Sequence, residues 1–313
     1  MGNVHQFNLD LKNKLSDEAT QGFTAKWKKT VTINNQKTNI WIKAGSQIWE
    51  EYVHDSLAEC IVSVVARELG IRDVVDYKVC ILNFIDNLGV KRKTLGCYSF
   101  DFTKVNEKVY DIDELRGGET YNMEYLELIQ YINERTGINK DAFREYLDRV
   151  LLLDSLTLNE DRRLGNLAVI FNRKTNKYRI CPVFDNGQGF GLHNNKWMND
   201  GVWDDWCISN FYAKPFSQSF DEMLYETRYV TDERYKAKAR EMLSKGFNKT
   251  FKIVDSLFEY FGDDYDEKWD AEYRKKVDKI RIKVDEPIRY MEKESIKSQL
   301  EGRRQYILNN IIV

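Results

Sequence analysis

What the chain lacks narrows its function first. Its three histidines, His5, His54 and His193, form no HExxH pair or other ligand spacing, which argues against a zinc site and leaves a Ser-His or Cys-His nucleophile without support. Five cysteines, Cys60, Cys80, Cys97, Cys181 and Cys207, are odd in number and far apart, so they read as reduced structural thiols rather than a disulfide framework. No apolar run reaches membrane-spanning length, and the opening MGNVHQFNLDLKNKL has no apolar core flanked by basic residues. Neither membrane insertion nor a cleaved leader is therefore expected, and synthesis in the cytoplasm is. Neither sign of charge dominates: 48 basic residues against 50 acidic ones leave a net charge of -2, so nothing global favours nucleic acid or an anionic membrane as partner. There is no internal repeat and no low-complexity tract.

What is present is enough for a large core. The 313 residues are 42% hydrophobic and 13% aromatic. That length exceeds the size at which one core stops growing, so one bilobal unit or two domains is expected. The most informative stretch runs from Asp154 to Leu192. Within it, Leu167 to Phe171 (LAVIF) and Tyr178 to Phe184 (YRICPVF) are β-rich runs joined by the polar segment 172–177, which predicts a hairpin. Antiparallel pairing brings the outer ends of such strands together, so Asp161, Asn166 and Asp185 should meet. Each of them alone reads as a turn residue. Together they supply hard oxygen donors of the kind Mg²⁺ accepts, with the remaining ligands coming from phosphates and water. An Asp five positions before an Asn, then a second Asp after a hairpin, matches the logic of a kinase site in which the first Asp takes a hydroxyl proton and the other two hold metal.

The rest of the chain supplies the other half of such a site. Residues 22–43 predict a loop, a strand TVTIN, a turn at 34–37 and a strand NIWIK. Alternation in that strand puts Ile40 and Ile42 on one face and Trp41 and Lys43 on the other, so Lys43 can neutralise nucleotide phosphates if it faces a cleft. A helix over 49–69 follows, with Leu57, Ile61, Val64, Val65 and Leu69 on one stripe and Gly70 as its C-cap. Glu59 lies off that stripe, placed to pair with Lys43. Residues 77–85 and 90–102 predict a second hairpin, and the polar stretch 103–118 a connector, so the lobe boundary falls at 102: an N-lobe over 1–102 and a C-lobe over 103–313. Helices are expected over 123–136 and 141–158, where Asp154 recurs at the same spacing as Phe143, Leu147, Val150 and Leu151. The aromatic segment 196–223 suits a lid or a substrate wall, and 232–312 reads as charged helices broken near Gly262 and Pro287.

With these residues in place the chain resembles the HipA-like serine/threonine protein kinases, in particular their short stand-alone members. Asn159-Glu160-Asp161-Arg162-Arg163-Leu164-Gly165-Asn166 resembles the family's N-x-D-R-H-x-x-N loop, and Pro182-Val183-Phe184-Asp185 its P-x-[YF]-D metal motif. Upstream, Ala58-Glu59-Cys60 and Ala66 to Ile71 resemble its helix text N-E … A-K-E-L-G-[IL]. The resemblance covers roughly Lys43 to Leu192, with the motifs in the family's order.

This resemblance implies an α+β, bilobal protein-kinase-like fold with a small β-rich N-lobe and a larger helical C-lobe. It makes Asp161 the catalytic base, Asn166 and Asp185 the Mg²⁺ ligands, Lys43 the phosphate-binding lysine and Glu59 its partner. It puts Cys97, Tyr98, Ser99 and Phe100, on the way to Phe102, along the adenine hinge by their backbone. The implied activity is ATP- and Mg²⁺-dependent phosphorylation of a Ser or Thr on a protein, the chain itself included; the implied partners are that substrate and an antitoxin-like protein. Two departures stand out: Arg163 replaces the family's His, and no compact glycine-rich loop precedes Lys43. Residues 21–30 hold Gly22 alone, so Lys26, Lys28 and Lys29 substitute charge for backbone amides, and Thr24 or Thr30 is the implied self-phosphorylation site. A kinase of a small molecule or lipid headgroup, a nucleotide-binding pseudokinase and a toxin-antitoxin module are the alternatives, with export as a bacterial effector compatible with the missing leader.

Overall fold

A computed structural model describes residues 4–10, 25–33, 35–48, 51–86, 89–117, 123–192, 212–263 and 271–313. His193, Cys207, Gly22, Thr24 and the aromatic segment up to residue 211 lie outside the described residues.

The first lobe is a five-stranded sheet in the order β1-β6-β7-β3-β2, made of β1 (His5–Asn8), β2 (Lys26–Ile33), β3 (Gln36–Ala44), β6 (Lys78–Ile85) and β7 (Lys91–Phe100). Its members β2, β3, β6 and β7 are antiparallel neighbours, and β1 runs parallel to β6 at the edge. The β2 strand starts at Lys26, earlier than expected, so Lys26 to Thr30 pair with Lys43 to Asn39 instead of forming a loop. Two-residue strands β4 (Gln47–Ile48) and β5 (Glu51–Tyr52) follow β3, and only then does α1 (Asp55–Glu68) begin. The helix therefore starts later than the expected residue 49, by about a turn and a half. Gly45 explains the tight exit from β3: a Cβ there would stand 2.2 Å from the carbonyl oxygen of Val53.

The second lobe is helical. Its α3 (Tyr125–Thr136) and α4 (Lys140–Thr157) fall between the first and the later strands of a three-stranded sheet, β10-β9-β8, in which β8 (Glu107–Asp111) and β10 (Lys177–Ile180) flank β9 (Ala168–Asn172). The short helix α2 (Ile112–Leu115) leaves β8, so the expected connector contains a strand and a helical turn. Hairpin β9-β10 forms where it is expected, with Asn172 and Lys177 of the expected turn already paired, but ends at Ile180 because Pro182 cannot donate to a ladder. A small hairpin of β11 (Tyr212–Ala213) and β12 (Gln218–Ser219) leads into α5 (Phe220–Glu226), α6 (Arg228–Thr231), α7 (Glu233–Ser244), α8 (Asn248–Phe261), α9 (Ala271–Ile280) and α10 (Tyr290–Tyr306). One continuous core runs from α1 through α4 to α8 and α10, with Leu57, Ile61, Val150, Leu257 and Leu300 all buried. Among the described residues no helix is long and apolar enough to cross a membrane.

Position matters most for α1, because it carries Glu59. Residues on every side of it are buried, polar Asp55, Ser56 and Ser63 included, which the single predicted stripe did not require. Its ends are tied to the C-terminal half. At the start, His54 Nδ1 lies 3.0 Å from Glu292 Oε1 and His54 Nε2 lies 3.1 Å from the Glu286 carbonyl. At the end, the Glu68 carboxylate accepts from the backbone of Lys249 (2.8 Å) and Thr250 (2.9 Å) and from the Thr250 hydroxyl (2.8 Å). The N-cap of α8 is Phe247, which has no oxygen to offer, so a side chain of α1 satisfies these orphan amides.

Candidate active site

Lys43 lies near the end of β3 and points into a cleft with about 580 Å³ of empty space, part of it open to solvent. Its ammonium donates to Glu59 Oε1 and, at 2.7 Å, to Asp185 Oδ1. Both Lys43 and Glu59 are buried. Burial disfavours the ammonium, but Asp185 and Glu59 outweigh it and hold Lys43 protonated well above its ordinary range. At Asp185, burial pushes the carboxyl up while Lys43, Lys26 and Arg162 pull harder, so it stays ionised well below the usual carboxylate range. Burial, with the charge of Asp185 behind it, pushes Glu59 upward against the pull of Lys43.

The turn at 184–186 is shaped by backbone conformation. Asp185 has φ 57°, in the left-handed region that Asp tolerates better than most residues. This bend directs the Asn186 amide to Glu59 Oε2 (2.8 Å) and the Asn186 side-chain oxygen to Arg162 Nη2 (2.5 Å). Arg162 is fully buried and forms a fork with Asp154, Nε to Oδ2 at 2.9 Å and Nη2 to Oδ1 at 3.0 Å. Its Nη1 reaches the Phe184 carbonyl at 2.5 Å and the Asn166 carbonyl at 3.3 Å. One guanidinium thus ties α4, the loop 159–166 and the turn at 184–186 together. Desolvation opposes this charge, and Asp154 more than offsets it. Asn159 adds Nδ2 to Asp154 Oδ1 at 3.0 Å.

Neither Asp154 nor Arg162 had a role in the sequence reading. A signal existed: Asp154 occupied a position in the apolar stripe of α4, and a charge on a core stripe requires a buried partner. Lys26 and Asp55 were likewise not singled out by spacing. Lys26 stands directly across from Lys43 in the β2-β3 register and shares the cleft wall, where burial and the charge of Lys43 lower its pKa. Asp55 is raised to about 6 by burial, against hydrogen bonds from Ser46 and Ser56.

The remaining predicted residues divide into two groups. Asp161 and Asn166 wall the same cleft as Lys43, Glu59 and Asp185. Asn166 Nδ2 donates to the Asp161 carbonyl at 2.6 Å, so the polar atom left to this amide is its oxygen. Asp161 Oδ1 lies 3.1 Å from Arg163 Nε and 3.1 Å from Lys214 Nζ. By contrast, Cys97, Tyr98, Ser99 and Phe100 are not among the residues walling this cleft. Cys97 and Tyr98 pair with β3 on one side and β6 on the other, which engages their backbone in the sheet. Ser99 and Phe100 pair with Trp41 and Ile40 of β3, beyond the last β6 partner, Lys78. Of the three lysines assigned to cover phosphates, Lys26 enters the cleft, Lys28 pairs with Asp101 at 2.7 Å, and Lys29 donates to the Asn8 carbonyl at 2.9 Å.

An oxygen donor set of one carboxylate and one carboxamide fits Mg²⁺, which commonly takes one or two protein ligands. Asp185 and Asn166 provide that set, and Lys43, Lys26 and Arg162 favour the ionised form of Asp185. Among the described residues there is no cluster of three or more His, Cys, Asp or Glu suited to a metal held by protein alone.

Comparison with solved structures establishes the fold. The chain is similar to a proinflammatory kinase of Helicobacter pylori, CtkA, with TM-score 0.61 and 15% identity, over 99% of this chain and 95% of that one. The fold is kinase-like. Weaker likenesses reach a Golgi casein kinase (TM-score 0.44, 12% identity, 92% of this chain and 71% of that one) and a Neurospora crassa PAN3 pseudokinase mutant (TM-score 0.30, 12% identity, 98% and 67%). No protein-family model matches the sequence, and no curated protein sequence does.

Proposed function

We propose that this chain is an ATP- and Mg²⁺-dependent serine/threonine protein kinase of HipA-like type that also phosphorylates itself. The observation that carries the reading is Lys43 bonded at once to Glu59 and Asp185 in the cleft that Asp161 and Asn166 share. A lone surface lysine needs no such arrangement, whereas a lysine that orients nucleotide phosphates beside a metal-binding carboxylate does. The motif text over 159–166 and 182–185 supports the HipA-like type.

In this reading Lys43 neutralises phosphate charge and Glu59 fixes its head. Asp185 and Asn166 hold Mg²⁺, which when bound supplies further charge neutralisation at the phosphates. Asp161 accepts the proton of the Ser or Thr hydroxyl as that oxygen bonds to the γ-phosphorus, the bond to the β-γ bridging oxygen breaks, and ADP leaves. Adenine would meet the strand edge at Ser99 and Phe100, near Phe102 and Phe184, which pack into the apolar clusters between the lobes. Arg162 positions rather than reacts: it keeps the base loop and the metal turn in register.

Incorporation of labelled phosphate from ATP into purified protein and a mixed protein acceptor tests this. The expected outcome is Ser or Thr labelling by the wild type that is lost in Asp161→Ala and in Asp185→Ala. Labelling by either variant at the wild-type rate would sink the assignment.

A further inference from the structure

The exposed side of the cleft holds a feature that the kinase reading leaves unused. The base carboxylate of Asp161 is flanked by two cations on the same oxygen, Arg163 and Lys214, each at 3.1 Å. Both cationic side chains are 51% exposed, against 23% for Asp161. Lys214 is nevertheless held in place. Its amide donates to the Glu160 carbonyl at 3.3 Å, and its hairpin is anchored by Phe216, which packs edge-on against Tyr125 with ring centroids 6.1 Å apart. The hydroxyl of Tyr125 bonds in turn to buried Asp148.

Arg163 walls the cleft with Lys26 and Lys43, whereas Lys214 stands outside that wall, beyond the base. The nucleotide phosphates have the lysines inside. An acceptor hydroxyl that reaches Asp161 brings its flanking residues near Lys214, which bonds the same carboxylate. Both cations share Oδ1, so Oδ2 can take the hydroxyl proton, and exposed ion pairs exchange partners at little cost. An acceptor bringing its own carboxylate gives Lys214 a further partner.

We infer that Lys214 forms an acceptor-side anion site that selects Ser or Thr hydroxyls flanked by acidic residues, an inference that rests on the kinase reading above. An acidic acceptor then gains an ion pair with Lys214 that a neutral acceptor lacks.

Matched peptides test it: one Ser acceptor flanked by Glu, the same peptide flanked by Ala, and a third flanked by Lys, compared by kcat/KM with labelled ATP. The wild type should favour the Glu peptide over the Ala peptide by about 5-fold, the factor of one exposed ion pair at the strong end. Lys214→Met should bring that ratio close to one, and Lys214→Glu should shift preference toward the Lys peptide. A wild type that labels both Glu and Ala peptides equally overturns the inference and leaves the kinase reading standing. So does a preference that survives Lys214→Met, or a Lys214→Met variant whose only change is a raised KM for ATP, which would assign the lysine to the nucleotide. No Asp161-dependent labelling of any acceptor, the protein itself included, overturns both.

Discussion

On the buried side of the cleft, Lys43 is sealed between Glu59 and Asp185, and Arg162 is fully buried against Asp154, Asn186 and two carbonyls. On the exposed side, Asp161 meets Arg163 and Lys214, whose side chains are half in water. The residue types are the same, and the surroundings set their roles. Buried charges hold one arrangement because each partner lost leaves an uncompensated ion, while exposed ones trade partners freely. The buried half holds one arrangement, and the exposed half can exchange partners.

Breaking the buried half should show this most strongly. Arg162→Met leaves Asp154 buried without its cation and the turn at 184–186 without its tie. Thermal or urea unfolding should show a loss of about 3–5 kcal/mol. Adding Asp154→Leu should recover much of it, because the ion left behind is then gone. A single variant within about 0.5 kcal/mol of wild type would mean that the clamp contributes little.

Lys43→Met comes next, and its pH dependence carries the sign. In the wild type the depressed carboxyl of Asp185 contributes stability that is present above its unfolded pKa, about 3.9, and is lost as pH falls through the folded value. The raised ammonium of Lys43 contributes stability that is present below its unfolded pKa, about 10.4, and is lost as pH rises through the folded value. The pair therefore stabilises across that whole window. Without Lys43, two carboxylates face each other, and stability at pH 7 should drop by about 3 kcal/mol. Part should return at lower pH, because burial and the charge of Asp185 raise Glu59 and favour its protonated form. A loss that is equal at pH 7 and at lower pH would show that the lysine acts by packing.

The same comparison explains what the sequence revealed. Lys43, Glu59, Asp161, Asn166 and Asp185 were legible because each sits at a fixed offset from a strand or helix whose hydrophobic period is plain. Hairpin β9-β10 was legible for the same reason. Strand β8 was hidden because Glu107 to Asp111 is half-buried and polar, and becomes a strand only by pairing with β9. Early pairing at Lys26 to Thr30 was hidden because KWKKT has no clean alternation of polar and apolar residues until it is laid against β3. Arg162 was read as part of a motif rather than as a buried ion, since burial of a polar residue depends on partners far along the chain, here at 154 and at 184–186. The ties on α1 depend on residues almost two hundred or more positions away.

One of those ties offers a smaller effect. Both ring nitrogens of His54 face acceptors, Glu292 and the Glu286 carbonyl, and a neutral imidazole has one donor for the two. Burial lowers its pKa and Arg289 opposes the proton, but Glu292 and Glu286 outweigh them and raise it. The contribution should be complete below the unfolded value, about 6.5, and lost as pH rises through the folded one. Unfolding midpoints between pH 6 and pH 9 should therefore fall more steeply for wild type than for His54→Gln, with a difference of about 1–2 kcal/mol at the acid end. Parallel curves would show that the imidazole is not the titrating tie.

The smallest expected effect is the one that sharpens the contrast. Arg163→Ala and Lys214→Met each remove a half-exposed cation from a carboxylate that keeps the other, so no ion is left buried and alone. Each should change unfolding free energy by less than about 1 kcal/mol, and that change should shrink further in 0.5 M salt, where exposed charges are screened. Arg162→Met, one residue away from Arg163, should keep its full cost in the same salt because water and counterions do not reach it. If the two neighbouring arginines responded alike, burial would not be what separates the fixed half of the cleft from the exchangeable one.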